Sequence, residues 1–454
     1  MSDDRPDIIS SDGGEQAPAE EQPEWLAERL AWFESLKFGL FLHWGPYSQW
    51  GCIESWPLVE EDTWARPDSL KAWVERGRDL ERFRRDYCAL NRTFDPTRFE
   101  PEAWAEAAEQ AGMRYVAFTT KHHDGFCMFD TRTTDYRITH PDCPFHSHPR
   151  ANVAREVFQA FRERGMGISC YFSKSDWHSP YYWSPDAPAH DRNPNYDTQA
   201  HPERWARFVA FVHAQVEELM TEYGPVDVLW LDGGQVRPPR QDIQMARLAA
   251  MARSHQPGLI VADRTVGGPY ENILTPEQRI PEEPLEQTWE SCLTMGTGWA
   301  YKPEDEYKPA RTLLRMLIET VSKNGNLLLN IGPSPEGVLP EEAVRRLREI
   351  GAWMAVNGEA IHDTHAIAPY AEGQVRYTAR GETVYAIVQA DEGQDEPPAE
   401  VTLTGLRPAP GAKVELLGHD GPLEWDSTQA GARIRFPRRP APCEHAWVLR
   451  YRRA

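Results

Sequence analysis

Short apolar runs alternate with amphipathic stretches along most of this chain, from about Lys37 to Thr364. Each run is only a few residues long and contains few polar positions. Strands that are buried on both faces of a parallel sheet have this near-continuous apolar pattern. The runs predict six strands, at Phe38–His43, Tyr115–Thr120, Gly167–Phe172, Val226–Leu231, Leu259–Ala262 and Leu327–Ile331.

The stretches between these runs have helical periodicity. From Glu203 to Tyr223, apolar side chains recur every three or four residues, which is the spacing of one helix face. The segment Pro101–Gly112 begins with proline and ends with glycine, as helix start and stop signals do. Further helices are predicted at Val153–Arg164, Asp242–His255, Thr312–Ser322 and Glu341–Val356. This alternation of strands and helices indicates a parallel α/β sheet with crossover helices.

The pattern by itself fits either a closed (β/α)8-like barrel or an open doubly wound sheet. No GxGxxG or GxxxxGK loop follows a predicted strand, which removes the usual reason for an open nucleotide-binding sheet. After about Thr364, short alternating segments separated by Gly, Pro and Asp predict a small antiparallel β-sandwich. We therefore divide the chain into a disordered acidic tail (1–24), a catalytic domain (25–364) and a C-terminal sandwich (365–454).

Composition narrows the classes of partner. The chain has 454 residues and a formal net charge of −21, whereas nucleic-acid binders present basic faces, so we expect no nucleic-acid partner. We expect a cytoplasmic protein without a membrane partner, because the sequence shows neither a signal-like apolar run nor a membrane-spanning stretch. The seven cysteines lack framework spacing and are expected to be free thiols. Nothing in the sequence indicates an oligomeric state.

Polar and aromatic side chains follow the predicted strands directly. Five strands lead into His43–Gly45, Lys121–Asp124, Ser175–Trp177, Asp232–Gly234 and Asp263–Arg264. The carboxyl ends of barrel strands converge on one face, so these side chains predict a single site there. The 17 tryptophans agree with a carbohydrate ligand, because indole faces stack on sugar rings.

Asp232 is the candidate nucleophile that this pattern provides. It follows four apolar residues and precedes two glycines, which allow a substrate to approach closely. A carboxylate at such a position can attack the anomeric carbon of a sugar. The position also suits a structural aspartate that caps a turn, and the pattern alone leaves both interpretations open.

The adjacent His122 and His123 also allow two interpretations, a metal site or hydrogen bonds to sugar hydroxyls. Adjacent residues of a strand point to opposite faces, and no HExxH motif is present, so the hydroxyl contacts are favoured. Two alternative functions are a non-catalytic sugar-binding protein and a metal-dependent hydrolase. The hydrolase would use His43, His122, His123 and Asp232.

Several longer motifs lie in order along the predicted barrel, at Lys37–Gly45, Lys121–Phe126, Trp230–Gly233, Trp289–Cys292, Asn326–Pro333, Gly351–Trp353 and Asn357–Ile361. Together they resemble glycoside hydrolase family 29, the α-L-fucosidases, from about Trp32 to Thr364. The resemblance implies a (β/α)8-like barrel followed by a β-sandwich. It also implies a retaining, exo-acting enzyme that releases terminal α-L-fucose from fucosylated oligosaccharides or glycoconjugates, without a metal or organic cofactor.

The same resemblance assigns roles to individual residues. Asp232 is similar to the family's nucleophile and Glu277 to its acid/base, for which Glu282 and Glu283 are fallbacks. The remaining positions resemble sugar contacts, namely His43, Glu54, Trp56, His122, His123, Tyr171, Arg264 and Trp299. Ser55 separates Glu54 from Trp56, whereas the family often has an adjacent Glu–Trp pair. A broad linkage preference and a restriction to α-1,3/1,4 fucosides both fit the resemblance.

Overall fold

The computed structural model describes residues 23–394, 396–437 and 442–453. Most of the predicted acidic tail, residues 1–22, lies outside these ranges. The first described element, helix α1 (Glu24–Leu36), begins directly after Pro23, whose fixed φ is compatible with a helix start. Within the described ranges, no helix combines the length and the hydropathy needed to cross a membrane.

A curled parallel sheet of seven strands forms the centre of the first domain. Its strands are β1 (Phe38–Leu42), β2 (Tyr115–Lys121), β3 (Gly167–Ser173), β4 (Val228–Asp232), β5 (Ile260–Asp263), β6 (Glu290–Thr294) and β7 (Asn326–Ile331). They are hydrogen-bonded in the order β5-β4-β3-β2-β1-β7-β6. The barrel-like α/β fold is confirmed, with seven strands where the barrel class has eight. All six predicted strands are present; β6 was missed because Glu290, Ser291 and Thr294 interrupt its apolar pattern.

Helices alternate with these strands along the chain. They are α2 (Lys71–Glu75), α3 (Leu80–Cys88), α4 (Pro101–Gln110), α5 (Val153–Glu163), α6 (Pro202–Glu222), α7 (Met245–His255), α8 (Ala310–Ser322) and α9 (Glu341–Asn357). The buried faces of α4 to α9 pack on the outer face of the sheet, whereas α2 and α3 lie in the connection between β1 and α4. Helix α7 starts three residues later than predicted, because Gln244 has a left-handed backbone conformation that ends the preceding loop. Helix α1 packs differently from these helices. Its apolar face, Leu26, Leu30, Phe33 and Leu36, closes the amino-terminal end of the barrel interior.

An irregular segment, residues 270–278, fills the gap between edge strands β5 and β6. On one side, the Asn272 amide donates to Val261 of β5 at 2.9 Å. On the other side, the Cys292 amide of β6 donates to Pro276 at 3.1 Å, and the Gln278 amide donates to Cys292 at 3.0 Å. This seam takes the place of the missing eighth strand, and Glu277 lies on it.

Gly39 in β1 is needed for the packing of the barrel interior. A Cβ atom at this position would lie 2.4 Å from the Tyr115 ring, and that ring is held by a hydrogen bond from its hydroxyl to Glu290 at 2.5 Å. We expect Gly39→Ala to destabilise the protein by about 1–3 kcal/mol through overpacking. Gly358→Ala is the matched control, because its φ is −58° and its nearest neighbour lies 3.6 Å away. Equal thermal unfolding midpoints for the two variants would contradict this prediction.

The C-terminal domain consists of two antiparallel sheets. The first has the order β12-β15-β10-β9-β8 and the second β11-β14-β13. The strands are β8 (His365–Glu372), β9 (Val375–Arg380), β10 (Thr383–Gln389), β11 (Glu400–Leu403), β12 (Glu415–Leu416), β13 (Trp425–Ser427), β14 (Ala432–Arg435) and β15 (Ala446–Arg452). The domain is fixed to the barrel by hydrogen bonds such as Trp353 Nε1 to the Ala446 carbonyl at 2.9 Å.

Candidate active site

A cavity lies at the carboxyl ends of the barrel strands, on the face that the strand-end pattern predicts. It is lined by Phe41, His43, Trp56, His122, His123, Tyr171, Arg192, Trp230, Asp232, Gly233, Gly234, Gln235, Arg264, Thr265, Glu277, Cys292 and Trp299. All predicted site residues except Glu54 are among these side chains. The topology explains the grouping, since adjacent parallel strands end at the same edge of the sheet.

Asp232 ends β4, and 15% of its side chain remains exposed to the cavity. Its Oδ1 accepts hydrogen bonds from the Gly233 amide at 2.8 Å and from Arg264 Nη1 at 3.1 Å. Its Oδ2 accepts one from the Tyr171 hydroxyl at 2.7 Å. Burial alone would raise the pKa of Asp232, but the Arg264 charge and these hydrogen bonds outweigh burial and hold the pKa well below its usual range. Asp232 is therefore a carboxylate at neutral pH.

Arg264 connects Asp232 to Glu277. Its Nη1 bonds Asp232, its Nη2 contacts Glu277 Oε2, and its Nε donates to Thr275 Oγ1 at 3.1 Å. Because Nη1 and Nη2 share one carbon atom, the two carboxylates that they hold are neighbours. Glu277 reaches this position because the backbone on both sides of it pairs with Cys292 of β6.

His43 is anchored in one tautomer by Asn330 of β7. Asn330 Nδ2 donates to the Trp299 carbonyl at 2.7 Å, so Asn330 Oδ1 faces His43 Nδ1 at 2.6 Å and accepts a hydrogen bond from the Nδ1–H group. Burial lowers the pKa of His43 to about 4. The ring is neutral at pH 7, and its second nitrogen, Nε2, is a hydrogen-bond acceptor.

His122 and His123 are held by hydroxyl groups. His122 Nδ1 lies 2.6 Å from Ser55 Oγ, and His123 Nδ1 lies 2.6 Å from Ser173 Oγ. The Ser173 hydroxyl donates a hydrogen bond to the Ser175 carbonyl at 2.7 Å, so its oxygen accepts a hydrogen bond from the Nδ1–H group of His123. Burial lowers the pKa of His123 to about 4 and that of His122 well below its usual range. Both rings are therefore neutral partners for hydroxyl groups.

The role of Asn330 leads to a testable prediction. In Asn330→Asp, a carboxylate beside His43 will raise the pKa of His43 towards or above its ordinary value of about 6.5. Below that pH, His43 Nε2 will carry a proton and can no longer accept a hydrogen bond from the substrate. We therefore expect KM to rise at acidic pH. The pH profile of kcat/KM checks this.

Asn330→Ala is the control for this prediction, because it removes the same hydrogen bonds without adding charge. We expect its KM to rise by a similar factor at every pH. Parallel profiles for the Asp and Ala variants would contradict the assigned tautomer of His43.

Aromatic side chains form the walls of the cavity. The Trp299 ring lies 5.1 Å from the His43 ring, and the Trp56 ring lies 4.9 Å from the His123 ring. The Tyr171 ring is parallel to the His122 ring at 5.9 Å. These apolar faces can pack on a sugar ring while the histidine nitrogens bond its hydroxyls.

Glu54 is the predicted site residue that the structure places outside the cavity lining. Its side chain is fully buried outside the cavity, and its Oε1 accepts a hydrogen bond from the Ala300 amide at 2.6 Å. Ser55 separates Glu54 from Trp56, and the positive φ of Glu54, 40°, turns the chain between Glu54 and Trp56. Glu54 therefore holds the backbone next to Trp299 and is not among the residues that line the cavity.

The fallback residues Glu282 and Glu283 do not line the cavity either. Both side chains are exposed, and Glu283 contacts the Tyr370 hydroxyl of the C-terminal domain. Of the three glutamates considered for the acid/base, only Glu277 lies in the cavity lining.

Sequence reasoning missed several residues that line the cavity. The Arg192 guanidinium lies 4.4 Å from the centre of the Trp56 ring and forms a salt bridge with Asp62 at 2.8 Å. Arg192 belongs to a long irregular segment after β3, where no periodicity or motif draws attention to it. Trp230 lies in a predicted strand, and because alternate residues of β4 point to the same face, its side chain lies in the barrel interior beneath the cavity.

The structure can be compared with the alternative interpretation, in which His43, His122, His123 and Asp232 form a metal site. In the described ranges, no three or more His, Cys, Asp or Glu side chains are grouped so that they could hold a metal ion. His43, His122 and His123 each use Nδ1 in a hydrogen bond to Asn330, Ser55 or Ser173. These hydrogen bonds orient the rings individually around the cavity.

Comparison with known proteins identifies the family. The model of the α-L-fucosidase family matches residues 10–359, and that of the α-L-fucosidase C-terminal domain matches residues 369–452. The rat plasma α-L-fucosidase is 29% identical over 451 residues, covering 92% of this chain and 90% of that protein. The human tissue α-L-fucosidase is 28% identical over 470 residues, covering 96% and 92%.

Solved structures agree with this result. The α-L-fucosidase isoenzyme 1 of Paenibacillus thiaminolyticus is 30% identical, with a TM-score of 0.77 over 95% of this chain and 100% of that chain. A GH29 α-L-fucosidase of Bacteroides thetaiotaomicron, trapped as a covalent intermediate with 2-fluoro-fucosyl fluoride, shares the fold at 21% identity. Its TM-score is 0.73 over 96% of this chain and 98% of that chain. The chain therefore belongs to the α-L-fucosidase family and is a glycoside hydrolase with α-L-fucosidase activity.

Proposed function

We propose that this α-L-fucosidase is a retaining, exo-acting enzyme in which Asp232 is the nucleophile and Glu277 the acid/base. The observation that carries this proposal is the pairing of both carboxylates with one guanidinium, that of Arg264. Retaining glycosidases need two carboxyl groups roughly 5–5.5 Å apart, whereas inverting enzymes leave room for a water molecule between more distant groups. Two carboxylates that share one guanidinium fit the closer arrangement.

In the first step, Asp232 attacks the anomeric carbon while the bond to the leaving oxygen breaks. Asp232 suits this role because it is ionised, nearly buried and fixed by three donors on its two oxygens. Glu277 gives its proton to the leaving oxygen, so the aglycone departs as a neutral alcohol. Glu277 contacts Arg264 in the substrate-free cavity, and we expect it to turn to the glycosidic oxygen when the sugar binds.

In the second step, Glu277 removes a proton from a water molecule that attacks the anomeric carbon from the face left by the aglycone. The ester bond to Asp232 breaks, and fucose leaves with its original configuration. The covalent intermediate trapped in the Bacteroides thetaiotaomicron enzyme supports this route, because it is the same kind of species.

The remaining lining residues support an exo-acting enzyme for a terminal sugar. His43, His122 and His123 are neutral and fixed, so they can bond hydroxyls on one side of a single ring. The barrel interior closes the cavity below this layer. A glycan that continued beyond the fucose into the barrel would meet the buried side chains of Phe41, Tyr171 and Trp230.

We propose that side chains at the rim of the cavity determine the linkage preference. Arg192 stacks on Trp56 there, and its backbone carbonyl accepts hydrogen bonds from Trp177 Nε1 at 3.2 Å and the Tyr182 hydroxyl at 3.0 Å. These contacts fix Arg192 and Trp56 at the rim, where we place the aglycone. Hydrolysis rates for α-1,2, α-1,3, α-1,4 and α-1,6 fucosides will show whether the preference is broad or restricted to branched α-1,3/1,4 substrates.

Two measurements on the wild-type enzyme test the mechanism. Proton NMR during hydrolysis of 4-nitrophenyl α-L-fucoside should show the α anomer of fucose first, before mutarotation. Incubation with 2-fluoro-fucosyl fluoride followed by peptide mapping should place the label on Asp232. Initial release of the β anomer would overturn the retaining mechanism, and a label on another residue would overturn the nucleophile.

A further inference from the structure

Glu290 is a buried carboxyl group that the proposed reaction does not use. It lies in β6 inside the barrel, and only 2% of the residue is exposed. Its Oε2 accepts a hydrogen bond from the Tyr115 hydroxyl at 2.5 Å, and its Oε1 accepts one from Trp230 Nε1 at 3.2 Å. Since Trp230 lines the cavity, Glu290 lies one hydrogen bond beneath the active site.

The indole of Trp230 supports both side chains that hold Asp232. The Tyr171 ring stacks on it at 5.2 Å, with 25° between the ring planes. The Arg264 guanidinium lies 5.1 Å from the same indole ring. Tyr171 bonds Oδ2 of Asp232 and Arg264 bonds Oδ1, so the orientation of Asp232 depends on where this indole lies.

We propose that Glu290 is a positioning residue, which fixes the indole of Trp230 and thereby aligns Asp232 for attack on the anomeric carbon. The proposal rests on the proposed role of Asp232 as the nucleophile. A ring packed only by apolar contacts can tilt or slide, whereas a hydrogen bond at Nε1 fixes its edge. Small displacements of a reacting group are costly, because attack requires close contact and alignment.

The chemistry of the group supports this role. A carboxyl group inside a barrel costs free energy that an apolar side chain of similar size would not, so stability alone does not explain it. Burial raises the pKa of Glu290 to about 7. With a proton on Oε2, Oε1 remains an acceptor for Trp230, so the anchor is retained in both protonation states.

Three variants test the proposal. Glu290→Leu keeps much of the volume but removes the acceptor for Trp230 Nε1. Glu290→Gln keeps an acceptor for Trp230 and can donate its amide to the Tyr115 oxygen. Tyr115→Phe is the matched control, because it removes the other hydrogen bond of Glu290 and leaves the contact with Trp230 intact.

We expect Glu290→Leu to lower kcat by about 10- to 100-fold and to slow the labelling of Asp232 by 2-fluoro-fucosyl fluoride by a similar factor. The inhibition constant of fucose should change little, because the three histidines proposed to bind hydroxyls are held by Asn330, Ser55 and Ser173 and not by a hydrogen bond to Trp230. Glu290→Gln should restore most of kcat. Tyr115→Phe should keep kcat and the labelling rate, even where its unfolding midpoint falls.

Three results would overturn the proposal: wild-type kcat and labelling in Glu290→Leu, no rescue by Glu290→Gln, or an equal kcat loss in Tyr115→Phe. Should Glu290→Leu fail to fold, Trp230→Phe replaces it, since it keeps a ring but loses the Nε1 donor; unchanged kcat and labelling there would also overturn the proposal. Turnover by Asp232→Gly would instead overturn the proposed nucleophile, so the two failures are distinguishable.

Discussion

Replacing Asp232 with glycine will lower kcat for 4-nitrophenyl α-L-fucoside by roughly 10⁴-fold or more, the scale seen when a covalent nucleophile is removed. The expected loss is large because three donors, Tyr171, Arg264 and the Gly233 amide, converge on this one carboxylate. No other carboxylate in the cavity lining except Glu277 is available to replace it. Steady-state kinetics of the purified variant measure the effect.

Added azide provides the decisive control for this variant. Glycine leaves space at the position of the carboxylate, so azide can attack the α-fucoside directly and give a fucosyl azide of inverted, β configuration. Asp142→Gly, at an exposed position outside the cavity, should keep wild-type kcat. Absence of rescue together with substantial residual turnover in Asp232→Gly would contradict the assignment.

Replacing Glu277 with glycine will have an effect that depends on the leaving group. For unactivated fucosyl oligosaccharides, we expect kcat/KM to fall by about 10²- to 10⁴-fold, the contribution typical of general acid catalysis. For 4-nitrophenyl fucoside the first step needs less proton donation, so kcat/KM should fall much less and the fucosyl-enzyme should accumulate. Burst kinetics at a quenched-flow time scale would detect this intermediate.

Azide again distinguishes the role of the residue. In Glu277→Gly it should attack the fucosyl-enzyme and yield a fucosyl azide of retained, α configuration, the opposite of the Asp232 variant. Glu282→Gln and Glu283→Gln are matched controls, because both glutamates are exposed in the same loop. An equal loss in either control, or a β-configured azide from the Glu277 variant, would show that Glu277 is not the acid/base.

The seam of the barrel gives Glu277 a fixed place. Residues 270–278 form no regular strand, yet their backbone bonds both β5 and β6. An irregular segment can therefore hold a carboxylate in place as a strand end does. The same seam brings Thr275 against Nε of Arg264 at 3.1 Å, so one segment positions the acid/base and its ion-pair partner together.

The sequence by itself determined six of the seven strands in the barrel sheet that the structure describes, because burial on both faces removes most polar residues from these runs. It also determined that Asp232, His43, His122 and His123 share one face, since parallel strands in a barrel end at the same edge. The strand-end pattern also placed Arg264 at this face, and the resemblance to the α-L-fucosidases then added Glu277, which no periodicity indicates. The β-sandwich followed from period-two alternation, although the short β13 and the half-exposed β8 did not.

Only the tertiary structure decided the features that depend on distant pairing. Strand β6 and the seam have no apolar period of their own. Their positions follow from hydrogen bonds to each other, from the pairing of β6 with β7, and from the bond between the seam and β5. The inward turn of Glu54 follows from its positive φ and from the Ala300 amide, which lies 246 positions further along the chain. The roles of Arg192 and Glu290 were likewise not indicated by the sequence, because a single polar residue acquires its role from the partners that folding brings to it.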